Sequence, residues 1–195
     1  MKPKKVISYF SKKLISESVR DQFEASCKKN GIDYFIEEVA FDSLNTFLAY
    51  KPHFIIKELE KSGEDVLYVD IDSVFQKAPT FFDKCRADIS LYLRDELPFD
   101  DDYKLVANTI FAKPTYSGKK LLNLWNLEAK RRLKKLKEET PLLDQLSLKK
   151  VILHYPTIVE LRRIPRPFLS FPYEKRTGAV IEHTNSMREH VLQTA

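Results

Sequence analysis

Glycine is scarce, with four residues in a chain of 195. Neither GxGxxG nor GxxxxGK followed by Ser or Thr occurs, so no glycine-rich loop is available to cradle a phosphate. Cysteine is scarcer still, represented by Cys27 and Cys85 alone. Two thiols make no disulfide framework, and we expect both to be reduced, in a cytoplasmic compartment. Long apolar runs are missing. No stretch approaches the ~20 residues needed to span a bilayer. The opening MKPKKVISYFSKK has too short an apolar centre for a signal peptide. A strong charge of one sign is also missing: 33 Lys plus Arg face 28 Asp plus Glu, for a net charge of +5. So small an excess serves solubility first. Beyond that it suits nucleotides, phosphates or a membrane surface better than nucleic acid.

What is there is globular. Hydrophobic residues make up 43% and charged residues 31%, a balance that supports a packed core. The length suits one domain over residues 1–195, standing alone or within a longer polypeptide. Strand-like and helix-like segments alternate. KKVISYFS (4–11), IDYFIEEVAF (32–41), DVLYVDID (65–72), ADISLYLRD (87–95), KLVANTIFAKP (104–114), TIVELRRIP (157–165) and AVIEH (179–183) read as strands. SESVRDQFEASCKKNG (16–31) reads as a helix capped by Ser16 and closed at Gly31. A second helical stretch over 43–63 contains Pro52, which is expected to kink or restart it. A long amphipathic helix covers 117–139, and another starts with Thr140 as cap and Pro141 in its first turn. Alternation of this kind predicts an α/β fold, a sheet flanked by helices.

KRRLKKLKEE (130–139) concentrates positive charge. We read it as the solvated face of the long helix, with Leu124, Leu127, Leu133 and Leu136 packed inward. Its functional alternative is peripheral contact with an anionic lipid surface or nucleic acid.

EDVLYVDIDSVF (64–75) carries the strongest chemical signal. Side chains alternate along a strand, so Asp70 and Asp72 share one side and Ile71 takes the other. Two carboxylates at the end of an apolar strand repel each other and lose solvation. A divalent cation relieves both costs. Mg²⁺ or Mn²⁺ accepts one or two carboxylates and fills its remaining positions with water and phosphate oxygens. Ligands of open α/β sheets also bind beyond the carboxyl ends of the strands. The plain alternative is that one Asp caps a turn and the other is merely solvated.

Two chemistries use such a pair. VLYVDIDSVF resembles the first motif of haloacid-dehalogenase-like phosphatases, in which Asp70 is the nucleophile. The downstream acidic pair of that family is matched poorly by FDDDYK (99–104). The same stretch also resembles the DxD motif of nucleotide-diphospho-sugar transferases of GT-A fold, including glycogenin-like and lipopolysaccharide-galactosyltransferase-like groups. Further segments follow in that family's order: YKPHFIIKEL before the pair, ANTIFAKPTYSGKKLLNLW, LLDQLSL and AVIEHTNSMR after it. The resemblance spans roughly Val6 to His190. It departs at Thr109, where the family carries Gly, and this Thr is expected to narrow the sugar pocket.

The resemblance implies a GT-A, Rossmann-like three-layer sandwich with a mixed, mostly parallel sheet. It implies transfer of a sugar from a nucleoside-diphosphate donor, UDP by family habit, to a hydroxyl on a glycan or protein-linked glycan. Mn²⁺, or Mg²⁺, is held by Asp70, Asp72 and His183. Tyr9 and Ser11 lie by the base and ribose, and Lys51 offsets diphosphate charge. Asn108, Arg94 and Asp95 contact sugar hydroxyls, and Arg188 contacts phosphate. In an inverting member Asp144 would act as general base on the acceptor hydroxyl, and in a retaining member Gln145 would lie near the anomeric carbon; the pair leans towards retention. A third reading is a nucleotide-binding module without turnover.

Overall fold

The computed structural model describes residues 5–172 and 178–184. Nine strands and four α-helices are assigned among these residues. β1 (Lys5–Phe10) leads to α1 (Glu17–Lys29) and β2 (Tyr34–Glu38). α2 (Leu44–Ser62) precedes β3 (Val66–Val69) and β4 (Ser73–Phe75). β5 (Ile89–Leu93), β6 (Leu105–Ala112), α3 (Tyr116–Leu133) and α4 (Leu143–His154) follow. β7 (Leu161–Arg163), β8 (Leu169–Ser170) and β9 (Ile181–His183) complete the set.

The main sheet has the order β2-β1-β3-β6-β5-β7. Three of its pairings are parallel, and β6 runs antiparallel to both neighbours. Five strands therefore share one direction. A smaller sheet has the order β4-β9-β8. β3 sits between β1 and β6, which explains why VLYV is apolar at every position and buried at every position. β7 lies at an edge and all three of its residues are exposed.

Alternation assigns the layers. Tyr9 and Tyr68 meet each other and Phe54 of α2 on one face. Phe10, one residue on, points to the other face, where Arg20 of α1 lies over its ring. Phe111 stacks on Phe82, and Phe82 packs on Phe168, beside the small sheet. The helical layer α2–α3–α4 thus covers the Tyr68 face. The opposite face is covered by α1 and the small sheet, giving three layers, with the buried side chains in one contiguous cluster.

Local chemistry moves several expected boundaries. α2 runs unbroken through Pro52, which is buried within it. Its ends are built as the sequence implies: Ser43 Oγ accepts from Thr46 N, and Gly63 takes a left-handed φ of 64° while its N–H reaches Leu59 O at 3.0 Å. Ser16 precedes α1 but bonds the Ser18 hydroxyl rather than a helix N–H. α3 starts one residue earlier than expected, at Tyr116, and Thr115 caps it, accepting from Gly118 N at 3.1 Å. That helix stops at Leu133, six residues short of the expected end. α4 begins at Leu143, because Thr140 Oγ1 is taken by Leu142 N in the turn before it.

Candidate functional site

Asp70 follows directly on β3 and stays in register, with its N–H donating to Asn108 O at 2.8 Å. It shares the Tyr68 face, as a period of two requires. Tyr68 Oη donates to Asp70 Oδ1 at 2.6 Å, and Lys51 Nζ lies 2.9 Å from the same oxygen. Lys51 also pairs with Asp144 Oδ2 and donates to Ala107 O at 3.2 Å. All three of its N–H groups are therefore used. The ammonium is 1% exposed, and the two carboxylate residues are 5% and 4% exposed. Burial pulls the Lys51 pKa down, but the Asp144 and Asp70 charges outweigh it and hold the group above its ordinary value. Tyr68 is pushed well above the phenol range by burial and by Asp70, so it remains a donor.

Asp144 is fixed from three sides. Its Oδ1 accepts from Gln145 N at 2.7 Å, its Oδ2 holds Lys51, and its backbone O accepts from Trp125 Nε1 at 2.9 Å. Gln145 Nε2 donates to Asp102 O at 2.5 Å. The loop bearing Asp102 is fastened by Lys149, which donates to Asp100 O and Asp101 O.

Asp72 is 4% exposed, in the turn between β3 and β4. Its backbone O accepts from Thr184 N at 2.8 Å, which ties it to the end of β9. His183 pairs across the ladder with Ser73. Ser73 Oγ lies 2.7 Å from His183 Nδ1, and Thr109 Oγ1 lies 3.1 Å from Nε2. Phe171 stacks on the ring at 5.0 Å and 10°. Burial, aided by the Lys51 charge, pushes the His183 pKa down to about 3, so the imidazole is neutral near pH 7.

Several sequence expectations change accordingly. Asp70, Asp72 and His183 do not assemble as a metal cluster: among the described residues no three His, Cys, Asp or Glu side chains do so. The reason is local, since both imidazole nitrogens already face hydroxyls. Thr109 does not narrow an open pocket; it is fully buried as a partner of His183. Lys51 does not present its ammonium to a diphosphate. Tyr9 and Ser11 show no accessible surface. They donate to the carbonyls of Phe47 and Phe41, at 2.7 and 2.5 Å, so neither can reach a base or ribose from there. Asp95 is half exposed and paired with Arg163 of β7, away from the carboxylates. Arg94 lies over Phe171, 5.6 Å from its centroid, and so joins the His183 end of the site. Asn108 is partly buried and supplies the carbonyl that anchors Asp70. Arg188 lies outside the described residues.

Sequence reasoning missed Tyr68, Ser73, Phe171 and Trp125, and gave Thr109 a different role. Tyr68 was within reach, because it stands two residues before Asp70 on the same strand face. The others join the site across long separations that no local pattern marks.

The donor set can be tested against a cation. Asp70 and Asp144 share the single Lys51 ammonium, so this buried pair carries one negative charge more than the lysine balances. Asp70 Oδ2 carries no hydrogen bond among the described residues. Carboxylate oxygens are the donor type that Mg²⁺ and Mn²⁺ accept, and Asp70 and Asp72 are the residues that would offer them. The imidazole, engaged at both nitrogens, does not fit as a ligand in this arrangement.

Neither a protein-family model nor a curated protein sequence matches this chain. Among solved structures, a glycosyltransferase involved in the glycosylation of the major capsid of PBCV-1 is similar, at 14% sequence identity and a TM-score of 0.67. The match covers 98% of this chain and 98% of that one. At that identity the likeness establishes a shared fold along nearly the whole chain, a mixed α/β sandwich.

Proposed function

We propose that this chain is a glycosyltransferase that moves a sugar from a nucleoside diphosphate, UDP being the first to test, to a hydroxyl of a glycan or protein-linked glycan. The observation that carries the reading is the carboxylate pair Asp70–Asp72 just beyond the carboxyl end of the central strand, both residues buried. The likeness in fold to a capsid glycosyltransferase supports it.

In the reaction the bond from the anomeric carbon to the diphosphate oxygen breaks, a bond to the acceptor oxygen forms, and the acceptor proton is released. Asp70 and Asp72 would hold a divalent cation, which would supply neutralising charge for the departing diphosphate. Tyr68 and Lys51 hold the Asp70 carboxylate in one orientation. Asp144, tied to Lys51 and to Gln145 N, serves to position rather than to accept a proton. That supports the retaining outcome, with the Gln145 side chain as the polar group nearest the reacting carbon.

A thermal-shift series with UDP and GDP, each with and without Mn²⁺, tests the reading. Ligand at about 100 times its Kd adds roughly 2.7 kcal/mol of stability. The expected result is stabilisation by a nucleoside diphosphate only when metal is present. No response to any nucleotide overturns it.

A second reading is a nucleotide-binding module without turnover. It is favoured by the full hydrogen-bonding of Asp144 and His183. The two differ in slow hydrolysis of the sugar nucleotide, which the transferase performs and the module does not. Nothing in the site favours Asp70 as a phosphatase nucleophile, since Lys51 and Tyr68 both hold its Oδ1.

A further inference from the structure

The outer face of α3 and α4 departs from what its sequence predicts. Leu127 and Leu136, expected inside, are 64% and 39% exposed. Leu153 and Tyr155, at the end of α4, are 50% and 47% exposed. Between the two helices lies a groove of about 210 Å³ whose apolar floor includes Leu124, Leu127 and Val151 and whose rim includes Arg131 and Lys150. Glu128 neutralises part of that rim, pairing with Arg131 at 2.6 Å, Lys150 at 3.2 Å and Arg132 at 3.3 Å. The lysines beyond it are different. Lys130, Lys134, Lys135 and Lys137 are exposed, and among the described residues none forms an ion pair.

We propose that this face is a docking surface for an anionic lipid membrane. Four unpaired lysines give the positive field, and single exposed leucines between them give groups that insert. Electrostatic attraction plus shallow apolar burial is the chemistry of interfacial binding. The composition argues against other occupants. Protein interfaces are depleted in lysine; here four lysines are exposed on the face. A nucleic acid offers phosphates to the lysines but no apolar phase for Leu127, Leu136 and Leu153.

The surface also has a useful position. Glu138 O accepts from Asn45 Nδ2 and Glu139 Oε1 accepts from Leu44 N, so the basic run meets the start of α2. That is the end of the sheet where β1 and β3 deliver their carboxyl termini, and where Asp70 lies. A chain held to a membrane by this face keeps its carboxylate cluster near the lipid surface. The inference does not depend on the proposed reaction.

Co-sedimentation of the full chain with vesicles tests it. The vesicles are phosphatidylcholine alone, or with about 30% phosphatidylserine, and each basic residue at such a surface is worth roughly fivefold in partitioning. We expect binding only to the anionic vesicles, lost at about 0.5 M salt, where screening is complete within a few Å. The triple variant Lys134→Glu, Lys135→Glu, Lys137→Glu is expected to bind at least ~100-fold more weakly. Leu127→Ser is expected to weaken binding severalfold with an unchanged Tm, because the residue is already 64% exposed. Absence of binding at low salt overturns the proposal. So does binding that duplex DNA competes away fully and that Leu127→Ser leaves intact, which marks a polyanion site. Nucleotide-dependent thermal shifts in the same variants report separately on the proposed reaction.

Discussion

Replacing Lys51 by Met removes the ammonium that pairs with both Asp70 and Asp144 while keeping the volume of the stem. Both carboxylate residues are about 5% exposed or less, so water cannot take over the role of the lysine. Removing one partner of a buried pair leaves an uncompensated charge and costs about 3–5 kcal/mol. In a domain of this length each kcal/mol moves Tm by roughly 2–4 °C, so Lys51→Met should lower Tm by on the order of 10 °C. Two further arms identify the cause. Adding Asp144→Asn removes one stranded charge while keeping an oxygen for Gln145 N, and should restore part of the loss. Protonating a stranded carboxylate also relieves the cost, so the gap to the parent protein should narrow as pH falls from about 7.5 to about 5. Calorimetry or circular dichroism across that range measures all three. A drop under about 2 °C, equal at both pH values, would refute the argument that these charges are desolvated and mutually dependent.

Four further outcomes are expected. His183 has its pKa depressed to about 3, so its share of stability is full above its ordinary 6.5 and is lost as pH falls from there. His183→Gln should flatten the urea-midpoint slope between pH 7 and pH 4 by up to about 1.4 kcal/mol per pH unit; identical slopes would contradict the burial. Asp72→Asn should abolish metal-dependent stabilisation by nucleoside diphosphates, and retained metal dependence would remove Asp72 from the site. A Cβ on Gly118 would stand 2.8 Å from Lys113 O and 3.0 Å from Thr115 Oγ1. Gly118→Ala should therefore destabilise by about 1–3 kcal/mol despite better helix propensity, and a rise in Tm would refute the clash. Trp125→Phe should lose the hydrogen bond to Asp144 O and about 1–2 kcal/mol, read by chemical denaturation.

Much of the fold was legible because its signals are local. The continuous apolar run at 66–69 announces a central strand, and Gly31 and Gly63 announce helix ends. β4 and β8 are three and two residues long, too short for any periodicity to register. The extent of the long helix was misjudged for a different reason. Lys134 to Glu139 keep helical propensity, but Glu138 and Glu139 are drawn into bonds with Asn45 and Leu44, and the chain leaves the helix to make them. At the site, alternation places Asp70 on the face of Tyr68; that α2 covers this face is seen only in the structure. What could not be read was who satisfies whom. Tyr9 and Ser11 look available in the sequence because the carbonyls that occupy them belong to residues 30 and more positions away. Lys51 looks like a lone helix cation because Asp144 is 93 positions distant.

Those separations also have a consequence for how the chain matures. During synthesis Lys51 and Asp70 emerge close together and can pair early. The second carboxylate emerges 93 residues after the lysine, and His183 emerges 110 residues after Ser73. Until then Lys51 lacks Asp144, and β4 has an open edge where β9 will lie. Loops of this span close slowly and late. Completion of the carboxylate cluster therefore waits for Asp144, and closure of the small sheet for β9 at the end of the described chain; a nascent chain stalled before residue 144 carries an unfinished site and an exposed strand edge, the form most prone to aggregate.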